Sequence, residues 1–278
     1  MHVCACATGN LTLPLQLPDN IILKEQLVTA VDTTTATATV TTSTGSYTSK
    51  SVITTLPVGV LKRDPPPVAF TPALPAEVTA ALETLTVGLY QKHFVQFPTV
   101  FWEEDKAVFF NYNEPSENSR YTEIINLDAV APGSRMLLIT ETGAEAYSSE
   151  ELSDESRLSA IMETVRRTWP DAPDPVEYKF TAWGKDEYAF GSYSAPGVGN
   201  TCEVVEGFAG DKGGLFFAGE HTYPLYSGTS HGAYLSGVDA ARRVLGEHVG
   251  SYCGSASVGA VGARLLWASV FASVFLCW

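Results

Sequence analysis

Residues 215–245, LFFAGEHTYPLYSGTSHGAYLSGVDAARRVL, constrain this chain more than any other stretch. The apolar run 214–219 (GLFFAG) ends in glycine and reads as a short buried strand. After a loop of turn-forming residues, apolar side chains at Ala233, Leu235, Val238, Ala241 and Leu245 recur close to the helical period. The segment is therefore strand–loop–helix, with Glu220 at the strand's end and a helix beginning near Ser230. A helix start offers unpaired N–H groups and the positive end of a dipole, which suit an anionic group or an electron-rich ring. A carboxylate at a strand's end is placed to bind hydroxyl groups, as an acid does with a ribose. Pattern alone leaves a purely structural unit open.

Upstream, residues 21–31 (IILKEQLVTAV), 37–42 (ATATVT) and 47–55 (YTSKSVITT) are rich in threonine, valine and isoleucine, with turn chemistry at 43–46. They read as a β-hairpin or meander. TTLPVGVL (54–61) leads to Asp64-Pro65-Pro66-Pro67, which no helix or central strand tolerates, so a crossover between subdomains is expected there. Pro75 opens a short helix to about Leu85. Residues 88–97, 106–112, 120–127, 135–141 and 175–182 look like strands. Ser153 caps a helix whose early acids and late Arg166 and Arg167 suit its dipole.

The charge balance, 17 basic against 31 acidic residues for a net −14, makes a nucleic-acid backbone an unfit partner and favours cationic ligands. The five cysteines (Cys4, Cys6, Cys202, Cys253, Cys277) form no C-x-x-C pair, so neither a zinc knuckle nor a disulfide framework is indicated and no metal site is expected. The last fourteen residues, LLWASVFASVFLCW, are uncharged, but a spanning helix needs about 20. The tail, 249–278, thus reads as a membrane or lipid-anchor contact or as a frayed terminus, and the location stays open between soluble and anchored.

In wording, residues 215–245 resemble the carboxy-terminal flavin-binding motif of the flavin-containing amine oxidases, above all polyamine oxidases and the related lysine-specific histone demethylases. The resemblance implies an α/β fold, the carboxy-terminal part of an FAD/NAD(P)-binding fold with an inserted mixed-sheet substrate domain. The cofactor parts would be 20–64 and 183–248, and the substrate domain 65–182. It implies that Glu220 hydrogen-bonds the ribityl chain of FAD and that backbone amides near Thr229 and Ser230 face the flavin's pyrimidine edge, stabilising charge on the reduced ring. GLYQKHFVQFPTVFW (88–102) resembles the segment whose lysine, here Lys92, holds a water at flavin N5. TAWGKDEYAFGSYS (181–194) resembles the aromatic segment in which Trp183 and Tyr188 contact the ring and Tyr193 walls the amine pocket. Val28 matches a valine whose backbone reaches the adenine; read alone, it is a core strand valine. The GSYS segment contains no cysteine, so non-covalent FAD is expected.

The family opens with a strand and a G-x-G-x-x-G turn for the pyrophosphate, and no G-x-G-x-x-G occurs in this sequence. The resemblance spans about 20–248 and corresponds to the family's second half, so a fragment, or a chain whose partner half lies elsewhere, is expected. The function implied is oxidation of an amine C–N bond, polyamines foremost, to an imine, with dioxygen leaving as hydrogen peroxide. The alternatives are a non-catalytic remnant or interaction module, and another flavin oxidase such as an L-amino-acid oxidase.

Overall fold

The computed structural model describes residues 22–110, 120–121 and 123–253. The chain runs through β1 (Val28–Asp32), β2 (Ala38–Thr42), β3 (Ser46–Ser49), β4 (Val52–Thr54), α1 (Val58–Leu61), β5 (Ala69–Thr71), α2 (Ala76–Thr84), β6 (Leu85–Gly88) and β7 (Tyr90–Gln96). It continues with β8 (Val108–Phe110), β9 (Glu123–Asn126), β10 (Met136–Thr142), α3 (Gly143–Ser149), α4 (Asp154–Thr168) and β11 (Glu177–Phe180). Last come β12 (Tyr193–Pro196), α5 (Cys202–Ala209), β13 (Leu215–Phe217), a 3₁₀ turn at Glu220–Thr222, and α6 (Ser230–Val244). These elements form two compact units: Met1–Val87 together with Tyr193–Trp278, and Gly88–Ser192. The apolar tail beyond Cys253 lies outside the described residues, among which no helix is long and apolar enough to cross a membrane.

The discontinuous unit carries a four-stranded sheet in the order β3-β2-β1-β5. Its threonine- and valine-rich strands alternate in burial: in β2 the outer and central residues Ala38, Val40 and Thr42 are buried while Thr39 and Thr41 are half-buried, as a sheet with one covered face requires. β5 joins β1 in parallel, so the proline run at 64–67 is the connection that brings the chain back to the same sheet, and Val68 just after it enters the core. β13 pairs in parallel with β4. All three β13 residues are buried, which fits a continuous apolar run rather than an alternating one. Val31, Val40, Val78, Leu82, Leu85, Phe208, Leu215 and Phe217 share one core.

Three helices here go beyond the sequence pattern or adjust it. Pro75 is the cap of α2, just outside its first turn. TTLPVGVL contains the four-residue α1. α5, which the sequence reading passes over, buries Val205, Phe208 and Ala209. The Thr201 hydroxyl caps α5 by accepting from Val204 N–H at 3.4 Å. A further correction concerns the cysteines. Cys202 and Cys253 form a disulfide across 51 residues, a pairing invisible in their spacing because α5 and the chain after α6 meet only in the fold.

The continuous unit is a five-stranded sheet, β11-β7-β10-β9-β8, whose four pairings are all antiparallel. α4 packs on it, contributing Ile161, Met162 and Val165 to a core with Val95, Phe97, Ile124, Leu137 and Ile139. The α4 caps behave as its sequence predicts. Ser153 Oγ accepts from Ser156 N–H at 3.3 Å, Asp154 and Glu155 lie in the first turn, and Arg166 and Arg167 in the last. On the α4 side of the sheet, His93 Nε2 lies 3.1 Å from Glu141, whose other oxygen receives Arg120 Nε.

Candidate functional site

In the discontinuous unit, the chain leaves β13 through Gly219, whose φ of +138° is closed to other residues. A Cβ there would lie 2.6 Å from the His221 ring, so glycine is required on space as well. Gly219 N–H donates to Ser236 Oγ of α6 at 2.8 Å, which fixes the strand's end beside the helix. Glu220 then turns its carboxylate back onto two other segments. Oε1 accepts from Ser194 N–H at 3.0 Å, and Oε2 accepts from the Ser194 hydroxyl at 2.6 Å and from Gly228 N–H at 2.8 Å. An ionised carboxylate has about four acceptor positions. Three are occupied by the protein, and the fourth lies on Oε1. Glu220 is therefore first a strut between β12 and the 219–229 loop, and only secondarily a ligand.

The loop ends at Thr229, the cap of α6, whose hydroxyl donates to Tyr226 C=O at 2.7 Å and accepts from Gly232 N–H at 3.0 Å. Gly232 has no room for a side chain, since a Cβ would fall 2.1 Å from Tyr226 O. The N–H groups of Ser230 and His231, in the first turn, have no partner among the described residues, and no acid stands there to meet them. Ser230 is exposed and Thr229 half-buried. Tyr193 is 42% exposed and packs beside Gly228, while Ser194 next to it is buried. The structure thus brings Tyr193, Glu220, Thr229 and Ser230 to one helix mouth. Val28 is elsewhere in this unit, half-buried on β1 against the core at a bulge in its pairing with β2.

In the continuous unit, Lys92 is 8% exposed on β7. It shares a face with Tyr90, two residues earlier, and its Nζ sits 5.9 Å from the Tyr90 ring centroid. Pairing registers Lys92 with Thr140 and Thr140 with Glu123, so the three side chains form one cross-strand row. Glu123 Oε2 accepts from the Tyr90 hydroxyl at 3.0 Å and from Thr140 Oγ1 at 3.2 Å. A carboxylate, an amine and a phenol are thereby gathered on one sheet face. Tyr90 was legible in principle, standing in period two with Lys92. Glu123 carries no signal without the register.

Trp183 and Tyr188 belong to a loop anchored at both ends on the start of the same strand. At its beginning, Thr181 N–H donates to Lys92 C=O at 3.1 Å and Thr181 Oγ1 accepts from Lys92 N–H at 2.9 Å. At its end, Ser192 N–H donates to Gly88 C=O at 2.9 Å and Ser192 Oγ accepts from Tyr90 N–H at 2.9 Å. Gly191 N–H closes the loop on Trp183 C=O at 2.8 Å. Glu150 pins its middle, accepting from Gly184 N–H at 2.9 Å and from the Gln91 amide. Trp183 is half-buried and Tyr188 40% exposed. Glu187, hydrogen-bonded to the Tyr188 hydroxyl, raises its pKa above the ordinary tyrosine value, so the ring stays neutral.

Comparison with known proteins assigns a class to a chain with this helix mouth and this lysine-bearing sheet. A sequence model of the family described as flavin containing amine oxidoreductase matches residues 6–245, and the chain belongs to that family. It is 36% identical over 204 residues to polyamine oxidase 4 of Oryza sativa subsp. japonica, covering 73% of this chain and 41% of the relative. It is 32% identical over 197 residues to polyamine oxidase 1 of Zea mays, covering 70% and 39%. A lysine-specific histone demethylase 1 homolog 3 of Oryza sativa subsp. indica is 32% identical over 206 residues, covering 71% and 25%. The structure of wild-type putrescine oxidase bound to putrescine superposes with a TM-score of 0.69 at 20% identity, covering 82% of this chain and 50% of that one. The chain thus spans about two fifths of the polyamine oxidases it matches. Family membership implies a flavin cofactor.

Proposed function

We propose that this chain carries the ring- and ribityl-binding part of a non-covalent FAD site and the amine pocket of a polyamine-type oxidase, which turns an amine C–N bond into an imine and yields hydrogen peroxide from dioxygen. The observation that carries the reading is the Glu220 strut set beside the unpartnered N–H groups of Ser230 and His231: a remaining acceptor for a hydroxyl next to donors for an electron-rich ring edge. These residues fit a flavin's polar arm and ring. In this reading the unit Met1–Val87 with Tyr193–Trp278 is the cofactor part and Gly88–Ser192 the substrate part.

Bound flavin would supply the hydride acceptor and the route of electrons to dioxygen. This chain's own residues do the rest. Glu220 Oε1 accepts from a ribityl hydroxyl, and the N–H groups at Ser230 and His231 donate toward the ring. The Val28 backbone lies along the adenine. Trp183 and Tyr188 pack on the ring, and Tyr193 forms an aromatic wall that attracts an ammonium before it loses its proton. Lys92, buried but beside the polar Tyr90–Glu123 pair, holds the water that hydrolyses the imine. Glu123 adds what the sequence reading lacked. Its bonds from Tyr90 and Thr140 both fall on Oε2, and a carboxylate there suits the second ammonium of a diamine or polyamine through Oε1.

The test is expression of the chain with FAD. Visible flavin absorbance after desalting, with peroxide released on adding spermidine or putrescine, is the expected result. A colourless protein that also fails to quench FAD fluorescence would refute the reading and favour the non-catalytic remnant.

A further inference from the structure

The disulfide sits in a cluster that the flavin reading leaves unused. Cys202 opens α5 and Glu206 follows four residues later, so both side chains face the same side of the helix. Cys253 arrives from the chain beyond α6, and its Cα lies 5.6 Å from that of Cys202. The two sulfurs and a Glu206 carboxylate oxygen all lie within 4.8 Å of one another, and all three residues are half-buried, so the cluster is reachable from solvent.

The arriving segment is held by more than sulfur. Glu206 Oε1 accepts from Tyr252 N–H and from Cys253 N–H, the latter at 3.2 Å, and Oε2 accepts from the Ser251 hydroxyl at 2.8 Å. The Tyr252 hydroxyl donates to Asp239 of α6 at 2.7 Å, and its ring lies 4.9 Å from that of Tyr223. These contacts keep Cys253 against α5 when the S–S bond is open. The thiols then remain neighbours, and the N–H bonds on Oε1 orient the carboxylate while Oε2 retains an acceptor position.

We propose that the reduced form of this cluster is a binding site for a thiophilic divalent cation such as Zn²⁺, with Cys202, Cys253 and Glu206 as ligands and water in the fourth position. Two thiolates select zinc over oxygen-seeking cations. Zinc–sulfur bonds of about 2.3 Å at a tetrahedral angle separate the sulfurs by ~3.8 Å, reached by side-chain rotation at the present backbone spacing. Opening the site consumes two electrons and two protons from a dithiol, which becomes a disulfide. The cation then displaces both thiol protons to solvent. Thiol–disulfide exchange with a small-molecule disulfide, which takes the two electrons and leaves as two thiolates, releases the metal and restores the S–S bond, so the same position is covalently closed under oxidising conditions and metal-closed under reducing ones.

The experiment uses the full chain with Cys4→Ser, Cys6→Ser and Cys277→Ser, which removes the other thiols. Reduced with a phosphine under argon, it is titrated with Co²⁺. The expected result is one equivalent bound with a thiolate-to-cobalt charge-transfer band and tetrahedral visible bands, displaced by Zn²⁺ and absent from the oxidised protein. Cys202→Ser and Cys253→Ser should lose the charge-transfer intensity of a two-thiolate site, and Glu206→Gln should weaken binding about tenfold or more. A reduced protein that keeps its circular dichroism yet shows no cobalt band overturns the proposal, as does a band unchanged by Cys202→Ser. Should that variant misfold, the oxidised-against-reduced comparison on one polypeptide and Glu206→Gln decide the matter.

Discussion

Replacing Glu220 by glutamine keeps the side chain's shape and exchanges one of its acceptor oxygens for a donor. The native carboxylate takes Ser194 N–H on Oε1 and both the Ser194 hydroxyl and Gly228 N–H on Oε2. If the new NH₂ occupies the Oε1 position, it confronts Ser194 N–H. If it occupies the Oε2 position, it confronts Gly228 N–H and the serine hydroxyl must reverse. Either way one backbone donor is left unpaired, a loss of about 1–3 kcal/mol before the weakening of the other two bonds. For a chain of this size each kcal/mol moves the thermal midpoint by about 2–4 °C. Glu220→Gln should therefore lower it by roughly 2–12 °C and speed amide exchange at Gly228. A double-mutant cycle isolates the strut: Ser194→Ala should cost less in the glutamine background than in the native one, with a coupling of about 0.5–3 kcal/mol. An unchanged midpoint, or two substitutions that simply add, would refute the idea that this carboxylate ties β12 to the loop.

Three further outcomes follow from buried or paired charges. Burial alone lowers the His221 pKa from 6.5 to about 4, so the folded state stays neutral where the unfolded chain takes a proton. Stability is then complete above pH 6.5 and falls as pH drops toward 4, by about 3 kcal/mol in all; urea titrations across that window should show the slope, and His221→Leu should flatten it. Burial pushes the Glu141 carboxyl up, but hydrogen bonds from His93 and Arg120, with the charge of Arg120, outweigh it and leave the pKa below the ordinary value. Its stabilisation is thus present above the ordinary carboxylate range and lost as pH falls through the lowered pKa, and Glu141→Gln should cost about 3 kcal/mol by urea denaturation at neutral pH. Glu123→Gln should raise KM, or Kd by calorimetry, for putrescine or spermidine by about 10–100-fold while sparing a monoamine, since a charge-assisted bond contributes about 1.5–3 kcal/mol; equal loss for both amines would remove Glu123 from the pocket.

What could be read from the residues divides along physical lines. Long, strongly patterned elements were legible: α4 from its cap, charges and period, α6 from its apolar repeat, and the β1–β3 meander from its composition. Short helices were not. α1, α3 and α5 have four, seven and eight residues, too few for a period to declare itself, and they form because neighbours bury one side of them. Glu220, Thr229 and Ser230 were singled out through the wording of one segment, and the structure sets them at one helix mouth as a strand–loop–helix should. Their partners Ser194 and Gly228, 26 and 8 residues away, are matters of tertiary contact, as are the Glu123 register and the Cys202–Cys253 bridge.

The acidic balance acquires a different meaning from these contacts. From sequence, a net −14 suggests a field that draws cations. In the structure, several carboxylates are instead engaged as struts for irregular chain. Glu220 holds Ser194 and Gly228, Glu150 holds Gly184 and Gln91, and Glu206 holds the backbone at Tyr252 and Cys253. Each accepts from a backbone N–H in a loop, where no ladder or helix supplies a partner, and an ionised acceptor makes a stronger bond there than a neutral one. The segments so held are the Tyr193 strand, the Trp183 loop and the chain after α6, which neither hydrophobic core reaches deeply. Rigidity at these positions therefore owes part to single acidic side chains, beside the Thr181 and Ser192 anchors of the Trp183 loop and the Cys202–Cys253 bridge. Converting one to its amide should loosen its own loop in hydrogen exchange and leave protection in β7, β10 and α4 unchanged, because the cores around Val95, Leu137 and Ile161 contain none of the three.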